Sequence, residues 1–362
     1  MGKIINVYDL PRLHQQLAEV VPSECREVAE EMSVQIPKED FEAQSSLNPE
    51  QEQAFKIILQ AMDCGRDGLF FVDGPKGTGK TFLYHALLAN VRSRRMIALA
   101  TATSGVAASI LPGGRTAHSR FEIPRQTNES SMTNMSKQSG ASKLIRKAKL
   151  LIWDEAPMAK WKIIETADRS FRDIMDIDKP FGGKVMVFGG DFRQVLPSVP
   201  KSARAETVNA SLVKSYLWPL MEKIQFTRNM RARTDPTFSE FLLFVRNGEE
   251  PTIRDNLIRL PEQLTVKCGS DGIAEESLID KIFPLLQENA SAAKYVTERA
   301  FLASRNEHVD KLNEKLITMF PGERKTFISF ASAEDDTNNY YQEEYLNTLT
   351  PNGLPPHRYS DK

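Results

Sequence analysis

The chain has 362 residues, of which 41% are hydrophobic and 26% charged, with 47 Lys and Arg against 48 Asp and Glu. That is globular composition, which excludes a disordered or fibrous chain, and the length suggests two domains or three. A net charge of -1 excludes a polycation that holds nucleic acid by bulk charge, while leaving room for a local basic channel. Cys25, Cys64 and Cys268 are far apart and odd in number, without a Cys-x-x-Cys. They argue against a disulfide framework or a zinc site and fit a reducing compartment.

Residues 1–46 read as a mixed, charged leader. Leu13, Leu17 and Val20–Val21 have the spacing of one amphipathic helix. Met1–Val21 carries Asp9 and Glu19 and no long apolar core, so it is not read as a secretory signal. A helix starts at Asn48-Pro49, with Asn48 as N-cap and Pro49 at the first helical position. Ala54, Phe55, Ile58, Leu59 and Met62 share one face of it. Gly68–Asp73 is a short apolar strand, and Thr81–Arg92 has helical periodicity. Met96–Ala100, Leu150–Trp153, Val185–Phe188 and Ile224–Phe226 supply further strands. Met96–Gly114 is uncharged and about as long as a bilayer span. Its Thr101, Thr103, Ser104, Gly105 and Pro112–Gly114 suit a buried strand and a small-residue loop instead.

Strands alternating with helices predict a parallel sheet covered on both faces, with the active site at the carboxyl ends of its strands. Residues 125–143, rich in Ser, Thr, Asn and Gln, mark a polar excursion at 120–146. The domains expected are the leader 1–46, an ATPase domain 47–250, a helical connector 251–294 and the start of a second domain at 295–362. In that last part Arg299–Ala303 is expected as a strand and Asn306–Ile317 as a helix.

Gly74-Pro75-Lys76-Gly77-Thr78-Gly79-Lys80-Thr81 meets every position of the phosphate-loop pattern, after a strand and opening a helix. Gly74, Gly77, Thr78 and Gly79 let backbone N–H groups turn around phosphates, at a helix N-terminus. Lys80 reaches the β- and γ-phosphates, and the Thr81 hydroxyl binds Mg2+. Asp154-Glu155 follows a strand, which places Asp154 at the Mg2+ and Glu155 at the attacking water. The strand between this pair and the P-loop predicts a RecA-like core. Gln194, in Gly189–Gln194, could touch both γ-phosphate and water; it could equally be a polar loop residue. Arg228 and Arg231 follow the last strand, and an Arg aimed at the γ-phosphate would stabilise transition-state charge.

These segments, taken in order with Ala102–Ala108, Gly114–Ser119, Asp154–Met158, Gly189–Pro197 and Asn229–Ala232, resemble motifs I to IV of the PIF-type (petite integration frequency) DNA helicases of superfamily one. The resemblance spans roughly residues 45–320 and is nearest the eukaryotic, Helitron-associated branch. Leu47–Gln51 is similar to the family's Q motif, with Gln51 the adenine contact. The resemblance implies an α/β fold of the P-loop NTPase class: a RecA-like parallel sheet flanked by helices, then an incomplete second RecA-like lobe. It implies ATP-driven 5′-to-3′ translocation on single-stranded DNA, with unwinding, in DNA repair, recombination and telomere maintenance. ATP and Mg2+ are the cofactors; single-stranded DNA and DNA junctions are the partners, with no membrane and a monomeric chain. By position Asp154 is the metal-site acid, Glu155 the base, Gln194 the γ-phosphate sensor and Arg231 an arginine finger. Thr103, Thr116 and His118 match DNA-facing positions, where hydroxyls and imidazole suit phosphates. A buried structural histidine fits His118 equally well.

The family's later Lys-Ser-Gln-Gly-like and Ser-Arg motifs are not found in residues 320–362, so the second lobe is expected to be truncated. The alternative is therefore an ATP- and DNA-binding remnant that does not unwind DNA. A clamp-loader ATPase would lack the Gly189–Gln194 and Ala102–Ala108 segments. The branch implies the nucleus, with a mitochondrial pool left open.

Overall fold

The computed structural model describes residues 25–194, 196–199, 203–231, 235–254, 257–266, 271–303, 305–322, 325–328 and 358–361. The expected helix at residues 13–21 lies outside these residues. The chain divides into two units, Met1–Asn247 and Gly248–Lys362.

The first unit is built on β1 (Gly68–Asp73), β2 (Ile97–Ala102), β3 (Arg115–Thr116), β4 (Ala148–Asp154), β5 (Val185–Gly190) and β6 (Glu222–Gln225). They form one sheet in the order β3-β2-β4-β5-β1-β6. Every pairing is parallel. The central strands are apolar throughout because both faces are covered, and their side chains alternate between two cores. Phe71, Leu99, Leu151, Trp153 and Phe188 face one core, with Phe121 and Phe171. Phe70, Val72, Ala98, Ile152 and Val187 face the other, with Phe55, Ile58, Leu83 and Leu87.

The helices of this unit are α1 (Arg26–Met32), α2 (Lys38–Glu42), α3 (Pro49–Asp63), α4 (Lys80–Ser93), α5 (Gly105–Ser109), α6 (Ala117–Arg120), α7 (Gly140–Lys147), α8 (Trp161–Met175), α9 (Arg204–Ala210) and α10 (Pro236–Asn247). The expected start of α3 forms as a capping box. The Gln51 backbone N–H donates to Asn48 Oδ1, and the Asn48 N–H to Gln51 Oε1, both at 3.0 Å.

Two expectations are revised in this unit. The described part of the leader, residues 25–46, belongs to the first unit instead of preceding it. Val28 is buried, and Glu31 bridges two buried arginines. Its carboxylate meets Arg92 Nη2 at 2.8 Å and Arg120 Nη1 at 3.0 Å. Those guanidiniums also donate to the carbonyls of Pro112 and Gly113, which fixes the loop between α5 and β3. The polar 120–146 excursion is anchored by buried Phe121, Ile123 and Met135 and ends in α7. The two-residue strand β3 has no apolar pattern to announce it.

In the second unit the connector 251–294 opens on a hairpin of β7 (Thr252–Arg254) and β8 (Leu257–Ile258). Helices α11 (Asp271–Ile282), α12 (Leu286–Asn289) and α13 (Ala293–Thr297) follow. Arg299–Ala303 is not a strand. Phe301 instead packs against the Phe283 ring, 5.4 Å between centroids, leaving the segment without a ladder partner. The expected helix forms as α14 (Asn306–Met319), followed by β9 (Lys325–Ile328), which pairs antiparallel with β10 (Arg358–Asp361). Among the described residues no helix is long and apolar enough to cross a membrane.

Glu31 is 4% exposed, so its removal strands two guanidiniums. Glu31→Gln is expected to cost roughly 3 kcal/mol, read as a lower urea midpoint. An unchanged midpoint contradicts the brace.

Candidate nucleotide site

The P-loop turns directly out of β1. Gly77 and Gly79 take left-handed backbone, φ +88° and +82°. Both are also crowded. A Cβ at Gly77 would lie 2.5 Å from Asn229 Oδ1, and one at Gly79 would overlap the Gln51 amide nitrogen. Only glycine meets both demands.

The Gln51 side chain is committed to this loop. Its Nε2 donates to the Thr78 carbonyl at 3.0 Å and lies 3.4 Å from the Gly79 carbonyl, while Oε1 is held in the capping box. Gln51 thus braces the loop while also lining the cavity described next, and its amide keeps further hydrogen-bonding capacity beyond these bonds. Met230 donates its N–H to the Gly77 carbonyl at 2.6 Å, so the segment after β6 closes over the loop.

A cavity of about 670 Å3 opens at the carboxyl ends of β1 and β4. It brings together Gln51, Gly77, Gly79, Lys80, Thr81, Asp154, Glu155 and Arg231. Gly74 and Thr78 do not line it. They shape the loop instead: the Thr78 hydroxyl donates to the Pro75 carbonyl at 2.8 Å, and Lys80 Nζ rests on the Gly74 carbonyl at 2.5 Å. Lys76, Phe82, Ala107 and Ile110 also line the cavity, although sequence spacing did not nominate them. Phe82 follows Thr81 directly, and Ala107 on α5 and Ile110 at its C-cap stand three apart, an i, i+3 signal.

Electrostatics follow from burial. Asp154 is 4% exposed, and desolvation raises its carboxyl to about 6, against the opposing pull of the Glu155 N–H. Burial lowers the Lys80 ammonium, and the nearby Asp154 and Glu155 charges partly restore it. Glu155 sits in the left-handed region, φ +51°, a strained place for a side-chain-bearing residue. Its N–H donates to Asp154 Oδ1 at 2.9 Å.

Gln194 lies outside this cavity. Its amide donates to Asp191 Oδ2 at 2.9 Å, and it lines a separate cavity of about 320 Å3 with Arg193, Lys76 and Arg246. Asp191 also pairs with Arg246. Arg228 is exposed and lines neither cavity; its backbone N–H lies 3.4 Å from Glu50 Oε2.

Thr103 and Thr116 stand at the ends of the neighbouring strands, with His118 two residues after Thr116 in α6. Thr103 Oγ1 accepts from the Trp153 indole at 3.0 Å, and its N–H donates to the Asp154 carbonyl at 3.0 Å. Thr116 Oγ1 caps α6 by accepting the Ser119 N–H at 3.3 Å. Each hydroxyl keeps its own proton to donate. His118 is half-buried, and burial pushes its imidazole below the usual value.

With this geometry in place, the comparisons decide the family. The model of the PIF1-like helicase family matches residues 46–256, more than half of the chain. The chain belongs to the PIF1-like helicase family. It is 25% identical over 268 residues to ATP-dependent DNA helicase Pif1 of Psychrobacter sp. (strain PRwf-1), covering 73% of this chain and 37% of that protein. It is 30% identical over 210 residues to ATP-dependent DNA helicase RRM3 of Saccharomyces cerevisiae, covering 56% and 28%. The chain therefore spans well under half the length of these relatives. The Pif1 helicase structure from Candida albicans aligns with a TM-score of 0.57 at 19% identity, covering 87% of this chain and 63% of that one. Bacteroides Pif1 in complex with ADP-AlF3 and ssDNA aligns at 0.55 and 21% identity, covering 80% and 61%. At these identities the likeness establishes the fold.

The Thr81 hydroxyl and the Asp154 carboxylate, both lining the cavity, are hard oxygen donors suited to Mg2+. Among the described residues no group of three His, Cys, Asp or Glu could hold a metal unaided.

Because the Asp154 carboxyl titrates near 6, its charge at pH 7 costs the fold stability that protonation returns. Wild-type stability from this group rises as pH falls from 7 towards 5. Asp154→Asn is expected to raise nucleotide-free stability by on the order of 2 kcal/mol in urea unfolding at pH 7. A destabilised Asp154→Asn contradicts the assignment.

Proposed function

We propose that this chain carries the nucleotide-hydrolysing lobe of an ATP-dependent DNA helicase, which moves 5′ to 3′ on single-stranded DNA. The observation that carries the reading is the single cavity lined by Lys80, Thr81, Asp154, Glu155 and Arg231. Relatives named as ATP-dependent DNA helicases, and the solved Pif1 with ADP-AlF3 and ssDNA, support it.

In this reading the P-loop N–H groups and Lys80 take the phosphates. Phe82, Ala107 and Ile110 offer an apolar wall to the base. Thr81 and Asp154 would hold Mg2+, which when bound offsets charge on the phosphates. Glu155 accepts the proton of the attacking water, and Arg231 meets charge developing on the γ-phosphoryl group. Thr103 and Thr116 donate to DNA phosphates, with neutral His118 beside them. The Thr103 N–H on the Asp154 carbonyl ties that edge to the nucleotide site. Phosphate contacts of this kind give weak sequence preference and salt-dependent affinity. Action at DNA junctions, a monomeric state, a nuclear location, and roles in repair, recombination and telomere maintenance are parts of the proposal that rest on the resemblance to the eukaryotic branch.

One observation favours a second reading, nucleotide and DNA binding without unwinding. Gln194 is held on Asp191 and stands outside the cavity.

The test is ATP turnover by this chain with and without single-stranded DNA, beside Lys80→Ala. The helicase reading expects DNA to stimulate turnover at least tenfold, roughly 1.4 kcal/mol of barrier, and Lys80→Ala to abolish it. Binding of both ligands without stimulated turnover supports the second reading. Turnover that survives Lys80→Ala contradicts both.

A further inference from the structure

Tyr84 lies one turn beyond Lys80 on α4 and is fully buried. Its phenolic oxygen has no hydrogen-bond partner among the described residues. A phenylalanine would fill nearly the same space without burying an orphaned hydroxyl, so the hydroxyl is a cost in the structure as it stands.

Its position is informative. A Cβ on Gly189 would overlap the Tyr84 hydroxyl oxygen and would lie 3.2 Å from Asp154 Oδ1. The Tyr84 oxygen therefore occupies the space of the missing methyl group at the carboxyl end of β5, and Asp154 Oδ1 borders that same space. Asp154 Oδ1 already accepts the Glu155 N–H and keeps a lone pair for a second donor. Asp154 Oδ2 has no partner among the described residues, while the residue itself lines the cavity. A carboxylate held by one donor turns readily about its terminal torsion, which is broad and soft. Two donors on one oxygen would fix its plane.

We propose that Tyr84 is a positioning residue for Asp154: with nucleotide and Mg2+ bound, its hydroxyl donates to Asp154 Oδ1 and holds Oδ2 toward the cation. The inference rests on the nucleotide reading above. It assigns Tyr84 no contact with substrate, and it explains why position 189 carries no side chain.

The test titrates MgCl2 into the full chain with a fluorescent N-methylanthraniloyl ATP analogue, in wild type and Tyr84→Phe. Tyr84→Phe is expected to keep the Mg2+-free affinity and a melting temperature no lower than wild type. Its Mg2+ half-saturation is expected to rise roughly tenfold, the effect of losing one hydrogen bond to a charged group. An unchanged half-saturation beside a Mg2+-dependent wild type overturns the role of Tyr84 alone. Equal losses of affinity with and without Mg2+ also overturn it, since they mark a merely structural residue. Wild-type binding indifferent to Mg2+ overturns the nucleotide reading beneath it.

Discussion

The first unit is organised around two opposite charges, Lys80, half-buried at the start of α4, and Asp154, buried at the end of β4. β5 lies between those strands, so the P-loop and the acid are two positions apart in the sheet. That separation is usable because β5 ends in Gly189 and Gly190. Side chains there would overlap the Tyr84 hydroxyl and the Pro157 ring. Desolvation works against both charges, raising the Asp154 carboxyl and lowering the Lys80 ammonium. Each partly relieves the other. The site is thus held short of electrostatic balance, which the phosphates and cation of the proposed reading would redress.

The surroundings hold this arrangement rigid. Beneath the P-loop, the Gln51 amide joins the start of α3 to the Thr78 carbonyl. Above it, Met230 binds the Gly77 carbonyl. On the far side of β2, Glu31 joins Arg92 to Arg120 and so fixes the Pro112–Gly113 turn ahead of Thr116. These braces come from segments distant in sequence, and each ends on backbone. A loop fixed by backbone contacts keeps its shape when the phosphates it serves are absent.

The sheet and the P-loop were legible in the sequence because their signals are local. β1, β2, β4 and β5 are buried on both faces and so read as unbroken apolar runs. Gly77 and Gly79 stand where the loop requires left-handed backbone. Asp154 and Glu155 follow a strand end. What escaped depends on contacts between distant residues. Nothing in Arg26–Met32 announces that Glu31 neutralises two buried arginines. β3 is only Arg115–Thr116, too short for a period. Gln51 stands in the cavity lining as its motif suggested, but that its amide also joins α3 to the Thr78 carbonyl is visible only in the fold. Gln194 was placed by its motif at the γ-phosphate, yet Asp191, three residues away, holds its amide. Tyr84 has helical spacing like any core residue, and only its orphaned oxygen beside Asp154 sets it apart.

In the proposed reading Lys80 and Asp154 act together on one ligand. A double-mutant cycle tests it most directly, with Mg2+·ATP affinity measured by calorimetry for wild type, Lys80→Ala, Asp154→Asn and the double variant. If both groups serve the same bound nucleotide, the losses are non-additive, with a coupling of about 1 kcal/mol or more. Additive losses, or affinities untouched by either substitution, would contradict the account.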